Sequence, residues 1–95
     1  MNKQRSSEEV KAVRNELQNL VSYSLFQADS LANKDSRLYR HIIEMGNQAQ
    51  QMLEIEHYPT IACVARLKMA VKHCWLDELI LNVADFKKIL KDYEN

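Results

Sequence analysis

Apolar residues recur at spacings of three and four along most of this chain, and the recurrence is broken at a few polar stretches. Val10, Val13, Leu17, Leu20, Val21 and Leu25 form one stripe of a helix. Lys11, Arg14, Glu16 and Asn19 lie opposite, and Phe26 and Leu31 extend the buried end. Ser6-Ser7-Glu8-Glu9 reads as a capping box, with Ser6 as cap and Glu9 three residues on. A first helix is therefore predicted over about 7–30, and Ala32-Asn33-Lys34-Asp35 is a loop. Asp35 or Ser36 caps a second helix over 36–56. Its stripe is Leu38, Ile42, Met45, Ala49, Met52 and Leu53. Gly46 in its middle costs about 1 kcal/mol relative to Ala and suggests the close approach of a neighbouring helix.

His57-Tyr58-Pro59-Thr60 is the one strong break. Tyr58 is pushed out of the helical region by the proline, and Pro59 suits the first turn of a new helix. That third helix is expected over 60–77. Ile61, Val64, Ala65, Lys68, Val71 and Trp75 mark one side, and Ala62, Leu67, Met69, Ala70 and Cys74 widen the apolar cover. So broad a cover predicts the central, most buried helix, with Trp75 in the core. Leu79-Ile80-Leu81-Asn82 is read as a link. Asn82 caps a last helix over 83–94, whose stripe is Phe86, Ile89, Leu90 and Tyr93. No internal repeat is present. The simplest packing is all-α: an antiparallel four-helix bundle, one domain over 1–95.

Composition sharpens this picture. The 95 residues include one Gly and one Pro, where roughly 12% is usual, so the turns of a sandwich or barrel are not provided for. Thirteen basic and thirteen acidic side chains give zero formal charge, against a dedicated nucleic-acid binder. The lysines of the last two helices are interleaved with Asp77, Glu78, Asp85, Asp92 and Glu94. MNKQRSSEEV has no apolar core of a signal peptide, and runs such as Leu79-Ile80-Leu81 fall far short of the ~20 residues of a bilayer span. A cytoplasmic protein with no transmembrane segment is expected. Cys63 and Cys74, 11 residues apart on one expected helix, would lie ~16 Å apart along its axis, too far to pair. Free thiols fit a reducing compartment.

Candidate chemistry is sparse. His41, His57, Cys63, His73 and Cys74 show none of the recurrent zinc spacings, so no metal is expected. No Gly-rich phosphate loop or nucleophile elbow is present. His57 and Cys63 lie six apart across the proline break without a specified contact. Glu54 with Glu56, and Asp77 with Glu78, do not converge on a helix face. No catalytic residue and no cofactor are assigned, and the chain reads as a binding module. Tyr39, Tyr58, Trp75 and Tyr93 are the aromatic anchors on offer, and Tyr93 near the chain end is the one expected to be exposed.

The order of features in the second half resembles a known family. HIIEMG leads to the Tyr58-Pro59 break, then to Trp75-Leu76-Asp77-Glu78-Leu79, Leu81-Asn82 and Ala84-Asp85-Phe86-Lys87-Lys88-Ile89-Leu90. This order is similar to that of the immunity proteins of pediocin-like (class IIa) bacteriocins, in which a charged pair and an apolar-x-apolar-Thr/Asn step cap a final helix rich in Glu and Lys. The resemblance implies a four-helix bundle in the producer's cytoplasm. It implies recognition of mannose phosphotransferase membrane components engaged by bacteriocin, with peripheral membrane contact. It places the specificity surface on the hairpin of the third and fourth helices, at Lys72, His73, Lys87, Lys88, Lys91 and Tyr93. The alternative is a small helical inhibitor or adaptor, phage-encoded or a secretion chaperone, binding a cytosolic protein. A self-associating helical dimer is a third reading.

Overall fold

The computed structural model describes residues 6–34 and 36–94, and all the regular structure among them is helical: α1 (Ser7–Ser30), α2 (Arg37–Ile55), α3 (Ile61–Lys72) and α4 (Leu76–Glu94). Three helix starts follow directly from local chemistry. Ser6 accepts from the Glu9 N–H, and Glu9 reaches back to the Ser6 N–H, so the expected capping box is formed. Ser36 caps α2 through the Tyr39 N–H, and Thr60 caps α3 through the Cys63 N–H. Pro59 stands one residue before that cap and is buried, so it precedes the third helix instead of starting it. The alternative α2 cap, Asp35, lies outside the described residues.

The helix ends are built without glycine. Lys34 Nζ donates to the carbonyls of Ala28, Asp29 and Leu31 and so satisfies the exposed end of α1. α2 ends with Glu56 in the left-handed region at φ 55, where the His57 N–H reaches the Met52 carbonyl. α3 ends in the same way, with Cys74 at φ 56, its N–H on the Val71 carbonyl and the Trp75 N–H on the Ala70 carbonyl. This paired pattern is the Schellman motif. It closes the third helix at Lys72 and not near residue 77, and α4 starts at Leu76 and not at 83. The Asp77–Asn82 run that carried the family resemblance is thus the first part of α4. Asn82 caps nothing there: its Nδ2 donates to the Glu78 carbonyl at 2.7 Å, within the helix.

The four helices form two hairpins laid side by side. α1 packs on α2 and on α3, and α4 packs on α2 and on α3. Arg14 meets Tyr58, Glu16 meets Lys68 and Gln27 meets Cys74, so α1 and α3 run in the same direction. α2 and α3 are thereby diagonal neighbours, and residues 56–60 cross from one hairpin to the other. Five residues at ~3.3 Å each span ~16 Å, enough for the diagonal of a bundle with ~10 Å helix spacing.

The shared core is Val13, Leu17, Leu20, Ile42, Met45, Met52, Val64, Leu67, Val71, Leu79, Val83 and Phe86, with small residues between them. Gly46 faces α1: a Cβ built there would stand 3.1 Å from the Ser24 Cβ, so the two helices touch through their smallest residues. Expectations about which faces are buried also fail. The α1 stripe continues through Ser24 and Ala28, which leaves Leu25 59% and Phe26 69% exposed. Nor is α3 the most buried helix, because Ile61, Ala62, Ala65 and Met69 all face outward.

Candidate functional site

The residues expected to form one surface are separated. Lys72 ends α3, and His73 follows with its ring stacked on Trp75 at 5.3 Å. Trp75, expected in the core, is 46% exposed. Lys87, Lys88 and Lys91 stand exposed in the second half of α4, with Lys87 Nζ 3.3 Å from the Glu44 carboxylate. Tyr93 is exposed as expected and lies against the His57 ring, centroids 5.1 Å apart, beside the 56–60 crossing. α4 has 19 residues, about 28 Å of helix, so Lys72 and His73 at its start and Lys91 and Tyr93 at its end are two groups.

What the fold assembles instead is a groove between α1 and α3. Its volume is about 620 Å³, and its apolar surface comes from Tyr23 and Phe26 on α1 and Met69 on α3. Lys68 and Lys72 stand along it, and no carboxylate lines it. Lys68 Nζ is held 2.8 Å from Glu16 Oε1. At the upper end Gln27 Nε2 donates to Cys74 Sγ at 3.0 Å and to the Lys72 carbonyl at 3.4 Å, which fixes the end of α3 against α1. The groove exists because α3 buries Val64, Leu67 and Val71, so Met69 and Lys72 project from the other side of the helix.

Of these groove residues only Lys72 was anticipated. The signal for the others was present in the width of apolar cover on the third helix. A helix that buries one stripe and still carries Ile61, Ala65 and Met69 has apolar side chains left for the surface.

The same geometry bears on chemistry. Among the described residues no group of three His, Cys, Asp or Glu is placed to hold a metal ion. Burial, with a smaller contribution from Asp85, pushes the Cys63 thiol above its usual range, which suppresses the nucleophilic thiolate. His57 packs on Tyr93. Arg66 makes a two-pronged pair with Glu78, at 3.1 and 3.2 Å, which ties α3 to the first turn of α4. No described helix is long and apolar enough to cross a membrane.

No protein-family model matches the chain, and no curated protein or solved structure matches it.

Proposed function

We propose that this chain is a non-catalytic binding module that acts by docking onto another protein, and that the α1–α3 groove is its docking surface. One observation carries the reading. Phe26 and Met69 are 69% and 46% exposed on the two walls of one cleft, where a folded chain with a complete core has no structural need of them. Exposed aromatics in a concave apolar site with a polar rim are the usual anatomy of a protein interface.

The test is capture from the native cell by cross-linking, with the unaltered chain compared with Phe26→Glu. Phe26 is exposed and outside the core cluster, so the variant is expected to keep its helical circular dichroism. The expected result is one specific protein captured by the unaltered chain and lost with the variant. Equal capture by both would remove the groove as the surface, and no captured protein would remove the reading.

Immunity to a pediocin-like bacteriocin is a second reading. It is favoured by the all-α four-helix arrangement that the resemblance implies and by the exposed Lys72 and His73 beside the groove. In this reading the partner is the bacteriocin-engaged mannose phosphotransferase receptor. Expression in a sensitive lactic acid bacterium then raises resistance to one peptide of a panel, and an unchanged panel counts against it.

A further inference from the structure

We infer that the α1–α3 groove takes two turns of an amphipathic helix whose flanks are acidic. This rests on the binding-module reading and adds the chemistry of the partner.

Length is the first support. The groove runs along α1 from Asn19 to Phe26, seven residues or ~10.5 Å of helix. A helix lying in a groove presents anchors at i, i+3 or i+4, and i+7, which is the same ~10.5 Å. Shape is the second. Tyr23, Phe26 and Met69 line a cleft, so the complementary object is a narrow apolar ridge, which a helix with one apolar stripe provides.

Charge decides between occupants. α3 carries Arg66, Lys68 and Lys72 and no acidic residue. Glu16 engages Lys68 and Glu78 engages Arg66, whereas Lys72 makes no ion pair among the described residues. A second copy docking through the same face offers Lys72 no free carboxylate, since none lines the cleft and Glu16 is held by Lys68. The chain's opening MNKQR adds Lys3 and Arg5 and has the same fault. A partner helix with Glu or Asp beside its apolar stripe meets Lys72 with the opposite sign. A flat anionic lipid surface shares the charge but does not fill a cleft.

The experiment uses the full isotope-labelled chain and three probes. Two are helical peptides with Leu at i, i+4 and i+7, one flanked by Glu and one by Lys. The third is vesicles of phosphatidylglycerol in phosphatidylcholine. The Glu-flanked peptide is expected to move the amide signals of Ser22, Tyr23, Phe26, Met69 and Lys72 saturably. The Lys-flanked peptide is expected to bind about threefold to fivefold more weakly, as the exposed charge contact at Lys72 turns from attractive to repulsive. Lys72→Glu should reverse that preference while leaving the helical signal unchanged.

Equal affinity for the two peptides overturns the inference, as does binding of neither or signal changes away from the groove. Changes produced by vesicles alone assign the surface to lipid and overturn it. Changes that grow with protein concentration in the absence of probe assign it to a second copy and overturn it. None of these results touches capture of a protein in the cell, so the inference and the reading it rests on fail separately.

Discussion

Glu56 and Cys74 hold left-handed backbone with a side chain in place, at φ 55 and 56. That conformation costs an L-residue about 1–2 kcal/mol, partly offset in any glycine variant by the greater freedom of its unfolded chain. Glu56→Gly is therefore expected to stabilise the fold by about 1 kcal/mol, read as a higher melting temperature. Cys74→Gly is expected to gain less, because it also removes the sulfur that accepts from Gln27. These two positions explain what was legible at this scale. Caps at Ser6 and Ser36 were plain because the side chains that make them are diagnostic. The end of α3 was not, because Cys74 occupies the place where glycine normally announces a helix end. The core has a similar local oddity at Gln48. Its Nε2 donates to the Val83 carbonyl at 3.2 Å, while its buried Oε1 has no partner. A buried acceptor left unpaired costs about 1–3 kcal/mol. Gln48→Met keeps the volume and removes that acceptor, so denaturant unfolding should show a gain of about 1 kcal/mol.

Helix pairs are held by different means in the two hairpins. α1 and α2 approach through Ser24 and Gly46. Gly46→Ala gains about 1 kcal/mol of helix propensity. The same change forces a methyl into a 3.1 Å gap, and overpacking of this kind costs about 1–3 kcal/mol. A net loss is expected, with partial recovery in Ser24→Gly/Gly46→Ala. Simple additivity of the two substitutions in denaturant unfolding would show that the contact does not limit the approach. α3 and α4 are tied by Arg66 and Glu78, both surface groups. Hydrogen bonding from Arg66 holds the Glu78 carboxyl below its ordinary 4.5. A depressed carboxyl stabilises the fold above its unfolded value, and that contribution is lost as pH falls through the lower folded value. Melting of the unaltered chain and of Glu78→Gln should therefore differ at pH 6, and the difference should shrink as pH falls below 4.5 and through the lower folded value. At the element scale, α2 was readable because it buries one clean stripe, whereas the buried line of α1 passes beyond Leu20 through Ser24 and Ala28, which carry no apolar signal strong enough to compete with Leu25 and Phe26. α3 was misread because its surplus apolar residues look identical, in sequence, to a wider buried face. Only the packing of α1 and α4 around it shows that Met69 and Ile61 are left outside.

Across the whole molecule, zero formal charge at pH 7 coincides with a strip of exposed apolar side chains. Little net repulsion then opposes contact between molecules. Solubility should pass through a minimum near neutral pH. Phe26→Glu should raise it there with a change in stability within about 0.5 kcal/mol, as for surface positions generally. The helical class and the number of helices were legible from period and caps. The order in which the helices surround the core was not, because a short link is compatible with either an adjacent or a diagonal neighbour. The groove was illegible for the same reason, since it needs α1 and α3 side by side. The diagonal crossing at residues 56–60 has one more consequence. It is the sole covalent connection between two hairpins that otherwise meet by packing and by side-chain contacts such as Glu16–Lys68, Gln27–Cys74 and Lys87–Glu44. If it could no longer span the diagonal, the α3–α4 hairpin of one molecule could still complete the α1–α2 hairpin of another with the same contacts. Deleting His57 should therefore convert the chain into an exchanged dimer of unchanged helicity, visible by light scattering, so that one short segment sets whether this fold closes on itself.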